Sequence, residues 1–171
     1  MIELPLTKNQ VTFIDDEDWK LVFNYTWHAF FHGNTCYARA NIYNENGKRV
    51  TKYLHQFLLD VQEGQEIDHV NHNGLDNQKE NLRICTHEQN MGNYKTEGNF
   101  GGKVRTSVYK GVSWHKKVGK WAAQINTQGT RKHLGYFDNE DDAAKTYNKA
   151  ADEKYGEFAY LNKIVQTEVL A

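Results

Sequence analysis

A chain of 171 residues and 19.9 kDa has room for one ordinary domain or two small ones and is too short for a large multi-site enzyme. With 39% apolar, 25% charged and 13% aromatic residues it carries enough core-forming side chains to fold, and its short apolar runs exclude the roughly 20-residue span of a membrane helix. Its 21 basic and 22 acidic residues almost cancel, but unevenly along the chain: residues 1 to 93 have 8 basic against 13 acidic, residues 94 to 135 have 9 against Glu97 alone, and residues 136 to 171 have 4 against 8.

The opening MIELPLTKNQ lacks a basic start followed by an apolar core, which argues against a secretory signal. Cys36 and Cys85 have no CxxC spacing, so neither a disulfide framework nor a thiolate zinc cage is expected, and a reducing compartment suits the chain. Asp15 to Asp18 followed by Trp19, Leu21, Val22 and Tyr25 predicts a short helix whose acidic start complements its N-terminus. Strands are predicted around residues 36 to 43 and 48 to 54, with Asn46-Gly47 as the turn between them. A short helix, HQFLLD, follows Leu54.

Residues 66 to 93, EIDHVNHNGLDNQKENLRICTHEQNMGN, predict a strand ending at Asp68-His69, a polar loop from Asn71 to Asn77, Asn81-Leu82, and a second short strand. Thr86 and Gln89 then form a capping box that starts a helix and sets Asn90 on its first turn. Asn93 to Ser107, with Gly98, Gly101 and Gly102 among polar residues, reads as a linker. Beyond it come three strand candidates, VYKGVSWH, GKWAAQIN and RKHLGYF, separated by turns at Lys117 to Gly119 and Gln128-Gly129. Ala143, Ala144, Tyr147, Ala150 and Ala151 then recur at helical spacing, with Asn139 as N-cap and Gly156 as the stop. The helix is acidic and the strands are basic, so a polyanion should meet the sheet, bound by counterion release.

Asp68 and Asn90 offer oxygen atoms, the donor type that Mg²⁺ and Mn²⁺ prefer. His69 is the next strand residue after Asp68, so it points to the opposite side and can approach a water held by a phosphate. The ordered set of Asp68-His69, the Asn-Gly-x-x-Asp-Asn loop, Asn81-Leu82 and Gln89-Asn90 resembles the HNH, or histidine-metal finger, motif of phage and intron homing endonucleases. That resemblance implies His69 as general base and Asn81 as the residue that holds its imidazole through a backbone or side-chain hydrogen bond. It further implies Asp68 and Asn90 as ligands of one divalent metal ion per chain, Mg²⁺ or Mn²⁺. His87 shares a helix face with Asn90, His55 is assigned packing or a phosphate contact, and His72 and Asn93 are weaker candidates.

Residues 107 to 162 are similar to the DNA-binding domain of the Apetala-type ethylene-response transcription factors, on YKGV, W-x-A-x-I, HLGYF, the Ala-Ala-x-x-Tyr helix and a final Leu-Asn. That family reads the major groove with its sheet, which carries DNA contacts onto Lys110, Gln124, Asn126, Arg131 and His133. The plant pattern often has arginines where Lys110, Ser113 and Asn126 stand here, so the binding mode carries over but the target sequence does not.

The two resemblances imply an α+β chain: an N-terminal ββα-metal (HNH) nuclease module over residues 1–93, a linker over 94–106, and a three-stranded antiparallel sheet packed on one helix over 107–165. Its partner would be double-stranded DNA, without a membrane, as monomer or homodimer, inside a phage- or bacterium-encoded cytoplasmic setting. The rival reading is a DNA-binding regulator whose HNH module is inactive.

Overall fold

The computed structural model describes residues 1–95, 104–127 and 129–164 and divides into two units, Met1–Asn90 and Met91–Ala171. Residues 96–103 of the expected linker, and Gln128 of the second expected turn, lie outside the described residues.

The first unit begins with a hairpin that carries no Asn-Gly signal. Strands β1 (Ile2–Pro5) and β2 (Val11–Ile14) pair antiparallel, and Lys8 and Asn9 between them take φ of 59° and 55°, the positive values a primed turn requires. The acidic run forms a 3-10 turn, Asp16–Asp18, that enters α1 (Trp19–Val22). This helix lasts one turn and buries Val22 while Leu21 and Phe23 stay exposed. Strands β3 (His28–His32), β4 (Thr35–Tyr43) and β5 (Arg49–Tyr53) make an antiparallel sheet with β4 central. Side chains alternate across a strand, so Ala38 and Ala40 of β4 face inward. They meet Leu4, Ile14, Val22, Trp27 and Leu54, the last from α2 (Leu54–Leu58). Removing each large apolar side chain of this cluster from water is worth about 1.5–3 kcal/mol.

Strands β6 (Gln65–His69) and β7 (Leu82–Thr86) then pair antiparallel, Asp68 opposite Arg83 and His69 opposite Leu82. Helix α3 (His87–Asn93) follows without a break. It starts at the expected capping box: Thr86 N donates to Gln89 Oε1 at 2.8 Å and Gln89 N donates to Thr86 Oγ1 at 3.3 Å.

In the second unit β8 (Val112–His115), β9 (Lys120–Thr127) and β10 (Thr130–Phe137) form an antiparallel sheet with β9 central. The first strand opens at Val112 rather than Val108 because Gly111 turns the chain at φ +76°. Helix α4 (Glu140–Tyr155) is capped by Asn139, whose Oδ1 accepts from Asp141 N at 2.7 Å, and stops at Gly156 with φ +53°. Its small face, Ala143, Ala144 and Ala151 with Tyr147, packs on Val112, Ala123 and Ile125 of the sheet. Among the described residues no helix is long and apolar enough to cross a membrane.

Candidate active site and nucleic-acid face

Alternation along β6 sorts the site into two sides. Glu66 and Asp68 share one side with their partners across the strand pair, Cys85 and Arg83. Arg83 donates from Nε and Nη2 to Asp68 Oδ2, at 2.9 and 2.7 Å, and this ion pair is largely shielded from water. Glu66 is joined by α3: Asn90 Nδ2 donates to Glu66 Oε2 at 2.6 Å, and His87 Nδ1 lies 2.8 Å from Glu66 Oε1. The Asn90 amide, helped by His87 and opposed by burial, holds the Glu66 carboxyl below the usual carboxylate range. The shared face of His87 and Asn90 thus converges on a glutamate that lies two residues before Asp68.

His69 occupies the other side and is buried. Its ring centroid lies 5.1 Å from that of His55 and 5.9 Å from that of Tyr37, and Tyr53 stacks on His55 at 5.5 Å. Burial lowers the His69 pKa below the ordinary imidazole value, against the opposing pull of Asn77, Asp68 and Asp76. Burial, with His69 second, pushes His55 down to about 3. His55 is therefore neutral near pH 7, and burial favours the neutral form of His69, the form of an imidazole that accepts a proton.

The amide at the imidazole is that of Asn77, whose Oδ1 lies 3.4 Å from His69 Nε2. The side chain of Asn81, the residue expected to hold the imidazole through its backbone or its side chain, shapes the loop: Oδ1 accepts from Asn71 N at 2.9 Å and Nδ2 donates to Asp76 O at 2.8 Å. Its backbone adjoins the strand end, where Asn81 O accepts from Val70 N at 2.9 Å. An asparagine in a polar loop has many local uses, so the sequence offers no way to choose between the two. Glu66 was equally missed, although its spacing of two from Asp68 on a strand is a usable signal. His72 sits in the loop at φ +64°, and Asn93 is buried near the end of α3.

Among the described residues no three His, Cys, Asp or Glu side chains gather as a metal site; the expected pair, Asp68 and Asn90, offers carboxylate and amide oxygens. The donor chemistry suits a small hard cation, which binds through one or two protein oxygens and keeps several waters. Arg83 Nε and Nη2 reach Oδ2 of Asp68. The bond to Glu66 consumes Asn90 Nδ2 and leaves Oδ1 as the acceptor end of that amide.

The sheet of the second unit has one face on α4 and one away from it. Gln124 stands opposite His133 and Asn126 opposite Arg131, so these four side chains share the face away from the helix, while Ala123 and Ile125 point into the core. His115 and His133 flank Tyr136 on that face, with ring centroids 5.2 and 4.5 Å away. Lys110 is not brought there. Its ammonium donates to the carbonyls of Met91 and Gly92 at 3.2 and 2.6 Å, 5.7 Å from the ring centre of Tyr160. Burial lowers its pKa to about 8. Lys110 thus ties carbonyls at the end of α3, a role that a charged side chain beside a glycine turn does not announce.

A second basic face lies in the first unit. The β3–β5 register sets His28 beside Arg39 and Tyr53, and Arg49 beside Tyr43, on the side away from the Ala38 and Ala40 core. Arg39 stacks on Phe30 with its guanidinium carbon 3.8 Å from the ring centre. No acidic residue occurs in β3, β4 or β5, and the face leads through Tyr37 and Tyr53 to His55 and His69.

Comparison with known proteins matches residues 60–92 to the HNH endonuclease family model and residues 107–157 to the AP2 domain model. An uncharacterized HNH endonuclease of Acanthamoeba polyphaga mimivirus is 28% identical over 161 residues, 92% of this chain and 77% of the viral protein. Protein 3.8 of Escherichia phage T7 is 30% identical over 99 residues, 58% of this chain and 77% of the phage protein. Dehydration-responsive element-binding protein 2D of Arabidopsis thaliana is 40% identical over 67 residues, 38% of this chain and 32% of the plant protein. No solved structure matches the chain.

Proposed function

Since this chain carries an HNH endonuclease domain and a C-terminal AP2 domain, we propose that it is a metal-dependent, site-preferring DNA endonuclease of the homing type. It hydrolyses phosphodiester bonds to 5′-phosphate and 3′-hydroxyl ends. The observation that carries the reading is the two-sided β6 strand: a buried His69 on one side, and on the other Asp68 in line with Glu66, which holds Asn90 of α3.

His69 takes the proton from a water as its oxygen attacks phosphorus. Asp68 and the Oδ1 of Asn90 would hold one Mg²⁺ or Mn²⁺. When bound, such an ion stabilises the charge that develops on the phosphoryl oxygens and on the leaving 3′ oxygen. Arg83 keeps the Asp68 carboxylate oriented, and Glu66 does the same for the Asn90 amide. DNA binds to Gln124, Asn126, Arg131 and His133 of the AP2 sheet and to the acid-free Arg39 and Arg49 face of the first unit. The AP2 unit raises the effective concentration of the nuclease at its substrate. One such centre per chain nicks one strand as a monomer and cuts both as a dimer or in a second binding event.

The test is conversion of supercoiled plasmid to nicked and linear forms in Mg²⁺, with EDTA and with His69→Ala. Loss of the general base should lower the rate by on the order of 10² to 10⁴ while DNA affinity stays near that of the native chain. Equal conversion by His69→Ala would remove its assigned role. Tight DNA binding without cleavage in either metal would establish the regulator reading instead.

A further inference from the structure

A buried hydrogen-bond chain runs from the N-terminal hairpin to the imidazole. Thr12 and Asn77 are fully buried and His69 nearly so. The Thr12 hydroxyl donates to Leu75 O at 2.7 Å. Its single proton is thereby committed, and its oxygen accepts from Asn77 Nδ2 at 2.8 Å. The same Nδ2 donates to Gly74 O at 3.5 Å. Turning the Asn77 amide over would set its carbonyl against the Gly74 carbonyl and against a hydroxyl whose proton points elsewhere. The amide therefore has one orientation, with Oδ1, which only accepts, 3.4 Å from His69 Nε2.

Two backbone bonds hold the loop in register with β2: Phe13 N donates to Leu75 O and Asn77 N donates to Phe13 O, both at 2.8 Å. The donor pattern that begins at Thr12 thus has a fixed origin, 65 residues before the asparagine it orients.

We propose that Thr12 and Asn77 are positioning residues for the reaction assigned above: they lock the imidazole of His69 with a hydrogen on Nε2, so that Nδ1 is the atom that takes the proton from water. An acceptor-only oxygen against a ring nitrogen favours N–H at that nitrogen, and a neutral imidazole has only one such hydrogen. A ring that divides its population between two tautomers offers the wrong nitrogen for part of the time, and the rate falls while substrate contacts persist. The role of the tautomer in catalysis rests on the endonuclease reading; the tautomer itself does not.

The experiment is long-range ¹H–¹⁵N correlation of the histidine rings in the full metal-free chain near pH 8, for the native protein, Thr12→Val, Thr12→Ser and Asn77→Leu, with plasmid cleavage measured alongside. The native protein should show His69 as the Nε2–H tautomer alone. Thr12→Val keeps the shape of the side chain but frees the amide to turn, so both tautomers should appear and kcat should fall by on the order of tenfold or more at nearly constant KM. Thr12→Ser keeps the hydroxyl and should restore both readings; Asn77→Leu should give the mixture if it folds. A native Nδ1–H tautomer, or a folded Thr12→Val chain with an unchanged tautomer and kcat, overturns the proposal. If the tautomer is locked as described and released in Thr12→Val while no form cleaves DNA, the positioning stands and the endonuclease reading fails.

Discussion

Gly111 is where a single methyl group should separate the two units functionally. Its φ is +76°, and a Cβ built there would lie 2.0 and 2.3 Å from Cδ2 and Cε2 of Tyr147 and 2.6 Å from the Gln124 carbonyl oxygen. Neither neighbour can retreat readily. Tyr147 is buried with Ile125 and Ala151, and Gln124 N donates to Gly111 O at 2.8 Å, which ties the turn to the central strand. Gly111→Ala therefore combines a left-handed backbone, about 1–2 kcal/mol, with overpacking, about 1–3 kcal/mol. Gly119 has φ +68° with nothing within 4 Å of its would-be Cβ, so Gly119→Ala isolates the backbone contribution. At roughly 4–8 °C per kcal/mol for a domain of this size, Gly111→Ala should lower the melting of the AP2 unit by 10 °C or more, and Gly119→Ala by about half of that or less. Temperature-dependent amide spectra that follow β8–β10 apart from β6–β7 read the shift unit by unit. The variant should also bind DNA more weakly near its melting range while the His69 environment is retained. Equal shifts for the two alanines would refute the clash at Tyr147.

Acid should destabilise the first unit through His55. Its folded pKa of about 3 lies below the ordinary 6.5, so between those values the unfolded chain binds a proton that the folded chain does not. Stability is then fully present above pH 6.5 and falls as pH drops toward 3. His55→Phe should remove about 2 kcal/mol of the loss between pH 7 and pH 4.5, read by urea denaturation at both values; parallel losses in the two proteins would count against the burial argument. Arg131→Gln should lower the salt slope of DNA binding by about one, whereas Lys110→Met should lower thermal stability and leave that slope unchanged, because its ammonium is tied to the carbonyls of Met91 and Gly92. Mg²⁺ at 100 times its Kd should stabilise the native chain by about 2.7 kcal/mol and leave the melting of Asn90→Ala nearly where it is without metal. Native melting that ignores Mg²⁺ would remove Asp68 and Asn90 as its ligands.

Most elements that depend on neighbours in the chain are legible in the sequence. The capping box of Thr86 and Gln89, the turn at Asn46-Gly47, the Asn139 cap and the alternation of Gln124 and Asn126 against Ala123 and Ile125 are set by contacts within a few residues or by the two-residue period of a strand. The β1–β2 hairpin escaped because Lys8-Asn9 occupies a turn that glycine usually signals. The start of β8 was placed early because the conformation of Gly111 answers to Tyr147, 36 positions later in the chain.

The nuclease motif divides along the same line. Local order sufficed to put Asp68 and His69 on opposite sides of one strand and to bring His87 and Asn90 to one face of a helix, since both follow from backbone geometry alone. Which amide meets the imidazole, which carboxylate receives Asn90, and whether Lys110 faces solvent or carbonyls were decided by packing between distant segments. Asparagine, glutamate and lysine each form hydrogen bonds of similar strength with many partners. Their choice is made only when burial removes water as a competitor and leaves Thr12, Glu66 and the end of α3 as the groups within reach.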